Sequence, residues 1–193
     1  MPQRYDPTIH HRHTIRLAGF DYAQAHGAFV TICTHDRNPE FGIVTDGVVE
    51  LSPAGIIVEE ELVRTAAVRV NPPVIPGAYV VMPNHVQAVF FLLDGTQGLD
   101  AGGGRMQYAP TDLASDKVVR SPRQTVGAIV RGLKAATTSR INMLRGSPGA
   151  PVWQRNYYEH ITRSPEDMDR ILRYIEQNPA RWAEDEENPD RRP

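Results

Sequence analysis

The sequence predicts an α+β fold in which antiparallel strands lie under helices. Runs rich in β-branched and aromatic residues, each short enough for a strand, cover 28–34, 42–51, 77–82 and 85–93. Segments with apolar residues at helical spacing cover 53–70, 122–144 and 164–178. Between the two halves of the second run lies Asp46-Gly47, a strong signal for a tight antiparallel hairpin. Segregated strands and helices of this kind are typical of the α+β class.

The first helix is predicted from its two ends. Ser52 can accept hydrogen bonds as the N-cap, Pro53 suits the first turn, and Asn71-Pro72-Pro73 stops the helix after Val70. The next two strands are joined by Pro83-Asn84, a pair that interrupts an otherwise apolar run.

The later part of the chain contains a long loop and two more helices. Residues 94–121 are rich in glycine and polar residues and are expected to form a flexible loop. The helix over 122–144 is basic and carries an apolar stripe. Ser164-Pro165-Glu166-Asp167 combines a cap, a first-turn proline and two acids, so a helix should begin there and end at Asn178-Pro179.

Composition indicates one domain spanning 1–193, with a polar leader at 1–27 and an acidic tail at 184–193. A chain of 193 residues that is 40% hydrophobic can bury one sizeable core. Cys33 is the single cysteine, which excludes an internal disulfide and a cysteine zinc cluster and predicts a reducing, cytoplasmic location. The sequence has neither a secretory signal nor an apolar run long enough to span a bilayer, so no membrane partner is expected.

Charge is segregated along the chain, although the net charge is only −2. Residues 117–158 carry eight lysines and arginines without one acidic residue, whereas 184–190 carries five acids. A basic segment of this length predicts a polyanion site, although a solvated helix face is the more ordinary use of such a run.

Two polar side chains occur on one face of the most apolar strand. In strict alternation His85 and Gln87 point the same way as Val89 and Phe91. Burial of both polar groups requires a partner, and a cation or a phosphate would serve. A satisfied structural histidine is the alternative for His85.

Tyr174 and Asn178 are four residues apart on the last predicted helix and therefore lie one turn apart on the same side. Neither belongs to the apolar stripe of that helix, which is formed by Met168, Leu172 and Ile175. On its own Tyr174 could be an edge-packing tyrosine, and Asn178 could simply end the helix before Pro179.

Four segments together resemble the REP-associated tyrosine transposases, which are single-tyrosine members of the HUH nuclease superfamily. These segments are HHRHTIRLAGFDYAQAHGAFVTICT from His10, MPNHVQ from Met82, WQRNYYEHITR from Trp153 and RYIEQNP from Arg173. The resemblance covers nearly the whole chain. It implies a ferredoxin-like antiparallel sheet covered by helices, and cleavage and rejoining of single-stranded DNA through a covalent 5′-phosphotyrosine.

The resemblance also implies roles for individual residues. Tyr174 would be the nucleophile, His85 and Gln87 would be the paired metal ligands, and Asn178 would be the third ligand for Mg²⁺ or Mn²⁺. This chain departs from the family pattern of His, a hydrophobic residue and His, because it has His85-Val86-Gln87. The amide oxygen of Gln87 suits a hard cation, but loss of one imidazole leaves open a catalytically weakened or inactive nucleic-acid-binding protein of the same fold.

Basic and aromatic side chains are the predicted contacts with single-stranded or hairpin DNA, the hairpin preference coming from the resemblance alone. They are Arg123, Arg131, Lys134, Arg140, Arg155, Tyr157, His160 and Arg163. Cations would neutralise phosphates, and aromatic rings would stack on unpaired bases. A third interpretation, a metal-dependent small-molecule hydrolase, would need a pocket without a basic flank. Related enzymes occur as monomers and as dimers, so a homodimer stays open.

Overall fold

The computed structural model describes residues 27–67, 74–92 and 125–191. The predicted leader, apart from its last residue, and the whole of the predicted loop at 94–121 lie outside these ranges. The strands are β1 Gly27–Cys33, β2 Gly42–Thr45, β3 Val48–Leu51, β4 Val74–Val81, β5 His85–Leu92 and β6 Tyr158–Ile161. The helices are α1 Pro53–Ala67, α2 Val126–Arg145 and α3 Pro165–Gln177.

Four strands form one antiparallel sheet in the order β4-β5-β1-β6. Helix α1 connects β1 to β4, and α2 lies between β5 and β6 in the sequence, so two split βαβ units interlock as in a ferredoxin-like fold. The predicted α+β class with an antiparallel sheet and helices is confirmed.

Helices lie on both faces of this sheet, and alternate residues of β5 face opposite layers. Val86, Ala88 and Phe90 belong to the core formed with α1 and α2, whereas Val89 and Phe91 pack with Met168, Ile171 and Ile175 of α3. His85 and Gln87 share the α3 face by alternation. The sheet therefore presents both polar side chains to the layer that contains α3.

Two local predictions are confirmed by backbone geometry. Asp46 and Gly47 have φ angles of 51° and 75°, as a type I′ hairpin between β2 and β3 requires. The Ser164 side chain accepts a hydrogen bond from the Asp167 amide and caps α3. Within the described ranges no helix combines the length and apolarity needed to cross a lipid bilayer.

One strand was missed by the sequence prediction, and the starts of two other elements differ from it. Strand β6 was not predicted, because its four residues have no buried alternation and pair with β1 through backbone hydrogen bonds. Helix α2 begins at Val126 rather than at 122, since Thr125 has extended backbone and caps the helix through its side chain. Strand β4 begins at Val74, three residues earlier than predicted, and a bulge follows Pro76.

Candidate functional site

The site is built around the turn between β4 and β5. The carbonyl of Pro83 accepts a hydrogen bond of 2.8 Å from the Phe41 amide, and that of Asn84 accepts one of 2.8 Å from Thr34. The Met82 amide donates to the His85 carbonyl at 2.8 Å. These bonds hold the backbone of the turn on both sides, and they place the Asn84 and His85 side chains in the interior.

His85 is fully buried at the start of β5. Burial lowers the pKa of His85 to about 4, an effect that the Asp185 carboxylate opposes and Arg37 reinforces. The imidazole is therefore neutral at physiological pH, which is the form that can bind a metal ion. Its Nδ1 lies 3.0 Å from the Asn84 Oδ1, and its ring lies 6.1 Å from that of Trp182.

Gln87 occupies the centre of a row that crosses the sheet. Thr31 pairs with both Tyr158 and Gln87, and Gln87 pairs in turn with Val80. The Gln87 side chain is 1% exposed; its Nε2 donates to the Tyr174 hydroxyl at 3.2 Å, and its Oε1 has no partner among the described residues. A buried amide oxygen without a protein partner carries a desolvation cost that a hydrogen-bonding or metal ligand would offset.

Tyr174 lies on α3 with its ring edge against Phe29 at 6.1 Å and about half of its surface exposed. Burial raises the pKa of Tyr174; the hydrogen bond from Gln87 acts in the opposite direction, and nearby acids raise the pKa further. Asn178 follows α3 as its C-cap, is 3% exposed and has its Nδ2 3.5 Å from the His85 Nε2.

The structure therefore brings the four predicted residues of the central site together. Gln87 and Tyr174 are 87 positions apart in the sequence, and His85 and Asn178 are 93 positions apart. These contacts form because His85 and Gln87 face the α3 side of the sheet, while Tyr174 lies on α3 and Asn178 is its C-cap.

Two clefts meet at Tyr174. The first, of about 560 Å³, is lined by the exposed part of the sheet row together with Tyr157, Gln154 and Asn156. The second, of about 500 Å³, is lined by four arginines and three acids, which are Arg170, Arg173, Arg181 and Arg191 with Glu184, Asp185 and Glu186. Because the phenol borders both clefts, an extended ligand can pass the hydroxyl and contact both surfaces.

The acidic tail contributes to this site, which the sequence did not indicate. Asp185, Glu186 and Glu187 line the first cleft. Arg37 pairs with the Glu187 carboxylate at 3.2 Å and donates to the Glu186 carbonyl at 3.2 Å. The one available signal was Trp182, an aromatic residue inside a charged segment, which packs beside His85.

Two of the predicted DNA-contacting cations already have protein partners. The Lys134 ammonium donates to the carbonyls of Gln154, Arg155 and Asn156, and thereby attaches that segment to α2. Arg140 pairs with Glu60 and with the buried Glu61 on α1. These contacts connect secondary structure, and a role of either residue in DNA binding stays a prediction.

The other predicted contacts are spread around the site. Tyr157 lines the first cleft and donates its hydroxyl to Glu159. His160 pairs with Asp167 at 2.8 Å, and together with Arg163 it lines a separate hollow at the start of α3. Arg131 and Arg155 are exposed on α2 and on the segment before β6, and Arg123 lies outside the described residues. The four arginines of the second cleft were missed because they belong to segments that also carry acids.

The side chains that meet at the centre of the site are an imidazole and amides, not a carboxylate cluster. Among the described residues no group of three His, Cys, Asp or Glu side chains is placed to hold a metal ion. The groups that converge are one neutral imidazole and two side-chain amides, one of which has an unpartnered oxygen. Nitrogen and oxygen donors of this kind fit Mg²⁺ or Mn²⁺.

Comparison with known proteins gives a family and a fold. No family model matches the sequence. An uncharacterised protein of Haemophilus influenzae is 32% identical over 186 residues, which cover 96% of this chain and 98% of that protein. The chain belongs to the same family as this Haemophilus protein.

The fold is shared with a solved structure of a REP-associated tyrosine transposase bound to a REP hairpin. The TM-score is 0.54 and the identity is 17%, with 84% of this chain and 72% of the other covered. The resemblance recognised from the sequence is therefore confirmed at the level of the fold.

Proposed function

We propose that this protein is a transposase-like enzyme that cleaves and rejoins single-stranded DNA with Tyr174 as the nucleophile. The observation that carries the proposal is the 3.2 Å contact between the Gln87 amide and the Tyr174 hydroxyl. It joins a candidate metal-ligand position to a candidate nucleophile across two elements. The shared fold with a hairpin-bound tyrosine transposase supports the same conclusion.

In the proposed reaction the Tyr174 oxygen attacks the phosphorus of a phosphodiester. A bond from the phenol oxygen to phosphorus forms, the bond from phosphorus to the 3′ oxygen breaks, and the phenol proton is balanced by the proton that the leaving 3′ hydroxyl gains. The strand that continues from the 5′ oxygen stays attached to Tyr174 through its 5′ phosphate, and the other strand leaves with a 3′ hydroxyl. Attack by a 3′ hydroxyl reverses these steps and rejoins DNA.

His85, Gln87 and Asn178 would hold the divalent cation. When bound, the cation would polarise the phosphate and stabilise charge that develops in the transition state. The residues of the chain orient the nucleophile: the ring edge of Tyr174 packs on Phe29, and its hydroxyl is fixed by Gln87. Because the Tyr174 hydroxyl is already positioned, less conformational entropy is lost when it aligns with the phosphorus.

The two clefts beside Tyr174 would take the two flanks of the scissile phosphate. In the second cleft Arg173 and Arg191 would provide cations for backbone phosphates, whereas Arg170 and Arg181 are paired with Asp167 and Glu184. Tyr157 and Tyr158 line the first cleft, and Tyr158 is 59% exposed, so unpaired bases can stack there.

A denaturing gel tests the proposal. Purified protein is incubated with a labelled oligonucleotide, either single-stranded or hairpin-bearing, and Mn²⁺ or Mg²⁺. Wild type and the control Tyr158→Phe should give a protein-DNA adduct that survives denaturation, whereas Tyr174→Phe should bind DNA and give none. An adduct of undiminished yield in Tyr174→Phe would exclude Tyr174 as the nucleophile.

A binding protein of the same fold is the second candidate. It is favoured by Asp185, Glu186 and Glu187, which raise the pKa of Tyr174 and so oppose formation of the reactive phenolate. DNA binding with no adduct under any metal would support this function over the enzymatic one.

A further inference from the structure

Asn84 is a fully buried residue whose side chain connects the candidate metal ligand to two other segments. Its Nδ2 donates to the carbonyl of Arg37 at 3.1 Å and to the carbonyl of Glu187 at 2.6 Å. Its Oδ1 lies 3.0 Å from the His85 Nδ1. All three contacts are made by one amide, so its orientation affects each of them.

The orientation of the amide follows from the chemistry of its partners. Backbone carbonyls can only accept hydrogen bonds, so the two groups facing Arg37 and Glu187 must be the N–H donors of Asn84. The remaining atom, Oδ1, can only accept. The His85 Nδ1 must then donate to it, which means that the proton of the neutral imidazole is on Nδ1 and that Nε2 carries the lone pair.

The other ring nitrogen of His85 faces Asn178, whose side-chain amide lies 3.5 Å from Nε2. Either end of that amide can pair with the ring, so the tautomer is set by Asn84. The imidazole is also buried and packs beside Trp182, so rotation of the ring is restricted.

We propose that Asn84 is a positioning residue that holds His85 with its proton on Nδ1 and presents the Nε2 lone pair to the site. The consequence for metal binding rests on the proposed function, whereas the tautomer itself does not. Hydrogen-bond partners of a metal-bound histidine commonly set its tautomer and its orientation in this way. The backbone contacts of the turn to Phe41 and Thr34 give Asn84 the fixed position that this role needs.

The direct test is the protonation pattern of His85, measured by nitrogen-15 NMR on the protein without metal and without DNA. The His85 resonances are assigned by their absence in His85→Ala. We expect a single neutral tautomer with the proton on Nδ1 at neutral pH. A proton on Nε2, or a mixture of both tautomers, in the wild type would overturn the proposal without any variant of Asn84.

Variants then separate positioning from a purely structural role. Asn84→Asp keeps an acceptor oxygen beside Nδ1, so His85 should retain its tautomer even if the Arg37 and Glu187 contacts are lost. Asn84→Ala removes the acceptor and should give a tautomer mixture. Asn188→Ala is the matched control, because it removes a hydrogen bond to the Trp182 carbonyl near the same segment and should leave the tautomer unchanged.

Mn²⁺ affinity, followed by electron paramagnetic resonance, provides the functional readout. Asn84→Ala should weaken Mn²⁺ binding about 10- to 100-fold, and Asn84→Asp should bind within a few-fold of wild type. Equal loss in both variants would show that Asn84 only supports folding, and would contradict the proposal. If the tautomer is found on Nδ1 but no DNA adduct forms, the proposed function fails and the assignment of Asn84 stands.

Discussion

Gln87 gives a stability prediction that follows directly from its contacts. Replacement by methionine, which has a similar length and no amide, removes one hydrogen bond to Tyr174 and one buried oxygen that has no partner in the described structure. Loss of the hydrogen bond lowers the free energy of unfolding by about 0.5–1.5 kcal/mol, whereas removal of an unsatisfied buried polar atom raises it by about 1–3 kcal/mol. Gln87→Met should therefore increase the free energy of unfolding by about 1 kcal/mol.

Urea denaturation of the metal-free protein measures this change. A gain of about 1 kcal/mol corresponds to a rise in melting temperature of about 2–4 °C for a chain of this size. The control is Gln154→Met, a partly buried residue lining the same cleft, for which a change within about 0.5 kcal/mol is expected. If Gln87→Met loses more than about 1 kcal/mol, Gln87 is a satisfied structural residue and the interpretation of its free oxygen is wrong.

Three further predictions concern charge and metal. Replacing Asp185, Glu186 and Glu187 together by their amides should raise affinity for a single-stranded oligonucleotide about 10-fold in a fluorescence anisotropy titration. It should also lower the pKa of Tyr174 in a spectrophotometric titration, because all three carboxylates raise that pKa. If neither the affinity nor the pKa changes, this segment has no electrostatic role. Arg131→Gln should weaken oligonucleotide binding and reduce the slope of its salt dependence by about 0.7. Arg140→Gln should leave the affinity within about twofold and lower the urea midpoint, because the Arg140 guanidinium is engaged by two carboxylates. Weaker DNA binding in Arg140→Gln than in Arg131→Gln would show that the ion pairs do not prevent DNA contact. Mn²⁺ at 100 times its dissociation constant should raise the free energy of unfolding of the wild type by about 2.7 kcal/mol, and that of the Gln87→Met variant much less. Chelation of the metal should abolish both the stabilisation and the DNA adduct. Equal stabilisation of both proteins would show that the ion binds elsewhere.

Local sequence rules predict the geometry within each element well. Alternation places His85 and Gln87 on one face of β5, and helical spacing places Tyr174 one turn from Asn178. The turn residues and caps at Asp46-Gly47 and Ser164 were predicted for the same reason, because short-range sterics and hydrogen bonding decide them.

Long-range partners could not be predicted from the same rules. That β5 and α3 converge on a common site was implied by the family resemblance, since periodicity does not specify which elements pack together. The pairing of Arg140 with Glu61 joins residues 79 positions apart, and the docking of Glu187 against Arg37 joins residues 150 positions apart. A run of like charges in the sequence does not reveal partners of this kind, so the basic segment overstated the number of free cations.

The most direct measurement of the central claim is the identity of the residue that becomes attached to DNA. After reaction with a single-stranded oligonucleotide, nuclease treatment and trypsin digestion, mass spectrometry should find the nucleotide mass on the peptide from Tyr174 to Arg181. Tyr157 and Tyr158 lie in a different tryptic peptide, from Asn156 to Arg163, and serve as internal controls. Attachment to that second peptide, or no attached nucleotide under conditions in which the oligonucleotide is bound with Mn²⁺, would contradict the account.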